Sequence, residues 1–210
     1  MDEVLEFCRR VLLDPALASE AAAEVAALEQ PDRLTRLAAA GRACRERFAK
    51  APRAPLAHAH TNGSVPDLGV AVARELAAAS SQLAERHRQT LALRELLGLS
   101  YAEIATVIGV EPQAVAPLLA RARLRLRIAL RGPVAAGEVP CESRDRALRA
   151  LARRQDREEL AVEDEDWLLD HIATCPACER DHAAMLESSA CYRGWRELRG
   201  VSRGPDGPSR

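Results

Sequence analysis

The chain has 210 residues, is 48% apolar but only 3% aromatic, and sets 30 basic side chains against 31 acidic ones for a net charge of −1. This composition excludes wholesale disorder, and the balanced charge excludes an overall nucleic-acid footprint, so any such contact must rest on a local patch. Leu, Ala and Val must build the core, and without β-branched runs that mixture predicts an all-α fold of one sizeable or a few small domains.

No stretch approaches the run of about 18–20 apolar residues that a spanning helix needs, so a membrane span is excluded. The opening MDEVLEFCRR lacks the apolar core of a secretory signal. A cytoplasmic location is the expectation, and there Cys8, Cys44, Cys141, Cys175, Cys178 and Cys191 are thiols or metal ligands rather than disulfides.

Residues 1–51 read as a helical domain. Val4, Leu5, Cys8, Val11 and Leu12 share one helical face, which Asp14-Pro15 interrupts. A second pattern runs from Ala18 to Leu28 and ends at Gln30-Pro31; a third carries Leu34, Leu37, Ala38, Cys44 and Phe48 and closes before Pro52. Cys8 and Cys44 sit on apolar faces without a ligand set nearby and read as buried thiols. Residues 52–69 are Pro- and Gly-rich without periodicity and read as a linker, with His58 and His60 exposed in it.

Residues 70–131 form a clear helical block. Val72 to Leu83 and His87 to Leu97 are amphipathic stretches, the second ending at Gly98. Ser100 with Glu103 makes a capping box for a short helix whose Ile104, Ala105 and Ile108 face inward. Gly109 supplies a sharp turn before a longer helix starting near Glu111-Pro112. This is the pattern of a helix-turn-helix, or of an αα-hairpin with packing duties alone. The longer helix carries Arg121, Arg123, Arg125, Arg127 and Arg131 without one acid. These arginines suit phosphates, solvent, or the acidic run 163–166 as a partner. Gln113 is the good base reader near the helix start, while Glu111 repels phosphate and Pro117 is expected to break or kink the helix.

Residues 138–198 form the last folded unit, and 199–210 read as a disordered tail. Ala147, Leu148, Leu151 and Leu160 support a helix after Cys141; the acidic run precedes or caps a helix with Trp167, Leu168 and Ile172; Ala184, Met185 and Leu186 lie on the next. Between these helices stands HIATCPACERD. Helical spacing puts His171 and Cys175 on one face, and Pro176-Ala177 lets the Cys175 and Cys178 thiolates share one metal. Tetrahedral zinc needs a fourth ligand, for which Cys141 is the first candidate, Cys191 the second and His182 the third. A redox C-x-x-C normally follows a β-strand, and no strand pattern precedes Cys175. A bare packing motif is the remaining alternative. No pocket or general base accompanies these ligands, so an enzyme is not expected.

From Leu83, LAERHRQTLALRELLGLSYAEIATVIGVEPQAVAPLLARARLRLR resembles region 4 of extracytoplasmic-function sigma factors, at Leu93 to Glu95, Gly98 to Tyr101, Glu103 to Ala105, Gly109, Val115 and Arg121 to Arg123. The resemblance implies contact with RNA polymerase core and promoter DNA, with Gln113, Arg121, Arg123 and Arg125 as the DNA-contacting residues. The N-terminal block resembles a degenerate region 2 without the aromatic side chains that capture unpaired bases. The C-terminal block resembles the zinc-binding anti-sigma domain, its motif carried by Cys141, His171, Cys175 and Cys178. Positions that hold base-reading residues in the family are Pro112, Ala114, Ala116, Pro117 and Leu118 here. Three readings follow: a sigma factor with a fused zinc-binding inhibitory domain; a sigma-like regulator that has lost promoter recognition and works through a protein partner, with Ala114, Leu118 and Leu119 as its apolar surface; and a helical scaffold with structural zinc.

Overall fold

The computed structural model describes residues 2–29, 32–50, 68–133 and 141–198. The described residues are all-α, as composition demands. They form α1 (Glu3–Leu12), α2 (Pro15–Ala26), α3 (Arg33–Lys50), α4 (Leu68–Ser81), α5 (Glu85–Leu91), α6 (Tyr101–Ile108), α7 (Val115–Arg131), α8 (Arg144–Asp156), α9 (Val162–Thr174) and α10 (Pro176–Leu198). Most of the expected 52–69 linker, with His58 and His60, and the whole 199–210 tail lie outside the described residues; Leu68 and Gly69 already belong to α4.

Local chemistry accounts for most boundaries. Asp2 accepts from the Val4 N–H to start α1, and Asp14 accepts from Ala16 and Leu17, with Pro15 in the first turn of α2. The capping box at α6 is formed: Ser100 Oγ accepts from Glu103 N at 3.3 Å, and Ser100 N donates to Glu103 Oε2 at 2.8 Å. Gly109 then takes the left-handed conformation (φ 68°) that ends α6. Replacing Ser100 by Ala should cost about 1 kcal/mol, read as a shift in denaturant midpoint. The Ser100 backbone and side chain hold the Glu103 carboxyl below its usual value. Its contribution is therefore present above the unfolded pKa and lost as pH falls through the folded one.

Two departures from the periodic pattern matter. The stretch expected as one helix to Leu97 turns π-helical at Ala92–Leu96, with Leu97 N bonding Ala92 O at 3.2 Å. Pro117 does not kink the long helix. A 3₁₀ turn over Pro112–Ala114 precedes α7, so Pro117 falls in its first turn, where an N–H has no intrahelical partner to lose.

Helix α7 lies at the centre. Leu76 and Ala79 of α4, Leu83 of the link to α5, Leu91 of α5 and Ala122 and Leu126 of α7 share one core cluster with Tyr192 and Trp195 of α10. The α1–α3 bundle packs through α3 on α6 and through α1 on α5 and the π turn. Buried polar stitches hold it there. Arg88 donates to the carbonyls of Val11 (3.0 Å), Leu83 (3.2 Å) and Ser81 (2.7 Å), and Gln89 Nε2 donates to Gly41 O at 2.8 Å. A Cβ at Gly41 would meet Gln89 Oε1 at 3.2 Å, so this close crossing favours glycine. Arg10, bonded to Glu6 at 2.9 Å, lies 4.0 Å from the Trp195 ring and links α1 to α10. No single described helix is long and apolar enough to cross a membrane; α6 and the segment through α7 pass that test only as a pair bent by 101°.

Candidate metal centre and the covered face of α7

The segment HIATCPACERD is a helix junction. His171 stands in the last turn of α9, Cys175 lies between the helices, and Cys178 is in the first turn of α10. Cys175 N closes α9 on His171 O at 2.9 Å, and Glu179 N bonds Cys175 O at 3.1 Å to open α10. Cys141 arrives from just ahead of α8. The donor atoms of Cys141, His171, Cys175 and Cys178 all lie within 4.8 Å of one another. His171 Nε2 is 3.4 Å from Cys141 Sγ and 3.3 Å from Cys178 Sγ. A tetrahedral zinc with ordinary bond lengths puts S and N ligands about 3.5 Å apart, so the donor set fits a metal of that kind. His182 and Cys191 stand outside the cluster.

The surroundings favour the thiolate at Cys175 alone and hold the imidazole. The Cys178 backbone N–H, foremost, holds the Cys175 thiol below its usual value, as at other helix N-termini, while burial pushes the Cys178 thiol up. Trp167 stacks on His171 at 4.8 Å, and Arg146 covers the Trp167 ring at 4.0 Å while pairing with Asp164 at 2.7 Å. Arg144 bridges to Asp181 at 2.7 Å, tying the start of α8 to α10. By contrast Cys8 and Cys44 are fully buried, and the Cys44 thiol is pushed up by its hydrogen bond to Cys8 and by burial.

The arginines of α7 divide by face. Val115, Leu119, Ala122 and Leu126 are buried together on one face. Ala116, Ala120 and Arg123, at i, i+4 and i+7, form a second buried strip, and Arg123 identifies what covers it. Its guanidinium meets Asp156 of α8 at 2.7 and 3.0 Å and Glu95 of the π turn at 2.6 and 2.9 Å. Ser188 of α10 donates to the Arg123 carbonyl at 2.7 Å. Tyr101 Oη donates to Asp156 at 2.7 Å, and Ser189 Oγ to Glu95 at 2.7 Å. Burial opposes the Arg123 charge, but Asp156 and Glu95 outweigh it and raise its pKa. Arg127 and Arg131 pair with Glu187 of α10 at 3.3 and 3.0 Å.

This placement corrects two expectations. Arg123 is 0% exposed and cannot reach a phosphate, because two carboxylates hold it inside. Leu119, expected on an apolar partner surface with Ala114 and Leu118, is fully buried in the core, and those two are half-buried. Gln113, Arg121 and Arg125 remain exposed, with Arg121 3.7 Å from Asp145 of α8. The acidic run 163–166 is not the partner of the α7 arginines; its Asp164 takes Arg146. Sequence reasoning missed Asp156 and Trp195 and gave Glu95 no partner beyond its place in the family pattern, since each acts through contacts more than 20 residues away.

Fold and site thus define an all-helical protein that couples a helix-turn-helix to a compact Cys3His donor cluster. Residues 73–126, from α4 into α7, match the family model for Sigma-70, region 4. No curated protein and no solved structure matches the chain.

Proposed function

We propose that the protein is a sigma-factor-like transcription regulator in which the α8–α10 unit, held by zinc on Cys141, His171, Cys175 and Cys178, restrains the region 4 helix-turn-helix. Sigma region 4 serves the family in contacts with RNA polymerase core and promoter DNA, and α4–α7 is the part of this chain suited to both. The observation that carries the restraint is the second buried strip of α7, closed by Asp156. A major groove about 12 Å wide admits one helix. Packed helices stand 8–10 Å apart, so α7 flanked by α8 presents about two helix widths and enters the groove only after α8 moves.

Zinc has a defined part here. Bound, it supplies a closed four-ligand crosslink that joins the start of α8 to the α9–α10 junction. The 23 residues of α10 then run from the Cys178 end of that junction to Tyr192 and Trp195 in the α4–α5–α7 core. Loss of the crosslink frees the end of α10 remote from that anchor. Exposed Gln113, Arg121 and Arg125 are the phosphate and base contacts of the released helix.

The test is a gel shift of promoter fragments with purified core polymerase, using the full chain before and after zinc chelation. Chelation should strengthen polymerase-dependent binding, and raising the salt should weaken it steeply. Absence of DNA and polymerase binding in both states would leave the helical scaffold as the reading.

A further inference from the structure

Where α8 and α10 meet the π turn, the joint leaves a cleft of about 530 Å³, within the ~300–1,000 Å³ of small-molecule sites. Its walls are Leu97 and Gly98 after the π turn, Gln155 and Arg157 at the end of α8, and Arg193 of α10. Glu95 and Asp156 line it too, but their side chains are only 2% and 5% exposed and are already bonded to Arg123. Arg94 donates to the carbonyl of Leu99 (2.7 Å) and to that of Asp156 at the negative end of α8, and pairs with Glu158 at 3.3 Å.

What remains facing solvent is cationic. The Arg193 side chain is 58% exposed and meets Glu95 at 3.4 Å, a loose pairing that leaves most of its donors open. Arg157 is exposed, and its left-handed backbone (φ 57°) ends α8 at the rim. Among the described residues it has no ion pair.

We propose that this cleft binds a small phosphorylated metabolite of nucleotide size, with Arg157 and Arg193 taking its phosphates. Guanidinium forks match phosphate oxygens in pairs, and two lining one cleft suit a di- or triphosphate better than a single carboxylate. The walls come from α8, α10 and the region 4 side, so a bound anion favours the state in which they are joined. That coupling rests on the restraint proposed above; binding itself does not.

Calorimetry on the full-length, zinc-loaded chain tests it with inorganic pyrophosphate, ATP and uncharged adenosine as probes. Saturable binding of ATP or pyrophosphate and none of adenosine is expected. Equal affinity for the two anions would assign recognition to phosphate alone, and tighter ATP binding would add the nucleoside. Arg157→Asn with Arg193→Gln should weaken binding about tenfold or more, with helicity and zinc content unchanged. Asn tolerates the left-handed backbone at 157, so Arg157→Asn alone provides a folded control that should still lose affinity. No saturable binding of either anion at millimolar concentration, or equal binding by native and variant chains, would overturn the site. Neither result bears on whether chelation releases α7.

Discussion

Cys175→Ser should reduce zinc from about one ion per chain to essentially none and melt the α9–α10 junction. Cys175 contributes its thiol to the donor cluster, and its backbone closes α9 and opens α10, so serine keeps both backbone bonds and removes the soft ligand. Structural zinc is worth about 10–16 kcal/mol in small zinc-dependent peptides. Here α10 has a second anchor at Tyr192 and Trp195, so the loss should be local rather than global. Metal analysis with hydrogen exchange reads both effects: protection should collapse in α9 and the first half of α10 and survive in α5 and α7. Cys191→Ser, outside the cluster, should keep its zinc. Zinc should also be released in acid, because the thiolates must reprotonate. Full retention of zinc by Cys175→Ser would remove this cysteine from the donor set.

The second large effect is expected from Asp156→Ala. It leaves Arg123 with Glu95 alone and strips Tyr101 Oη of its acceptor, in a place where removing one partner of a buried pair costs about 3–5 kcal/mol. Glu95, Tyr101 and Arg123 stay together within the α4–α7 side, whereas Asp156 belongs to α8. The penalty therefore falls on the contact between them and should shift the joined-to-released ratio about 100-fold or more. Hydrogen exchange should accelerate in α8 and along the Ala116–Ala120–Arg123 strip, and polymerase-dependent DNA binding should rise. Asp156→Asn retains an acceptor for Tyr101 and should show a smaller effect. Were α4–α7 and α8–α10 to unfold in one transition at lower denaturant, α8 would be part of the core of α7 rather than its restraint.

Local patterns carried much of this structure. The capping residues Asp14 and Ser100, the turn at Gly109 and the apolar spacing of α6 each act within four residues along the chain, a range over which backbone chemistry alone decides the conformation. The same is true of the His171–Cys175–Cys178 spacing, and counting to four ligands pointed to Cys141 across 30 residues. The face of α7 was beyond that range. In the sequence Arg123 is one of a basic run suited to phosphate, solvent or the acidic run 163–166, and only the arrival of Asp156 makes it interior. Arg123 is buried because a distant carboxylate is brought to it, and that depends on how α8 crosses α7. The sequence by itself determined an all-helical chain with a helix-turn-helix and a metal-spaced junction, because those are local properties. Tertiary structure alone decided which arginines of α7 face solvent, since burying the Arg123 charge requires carboxylates from elsewhere in the chain.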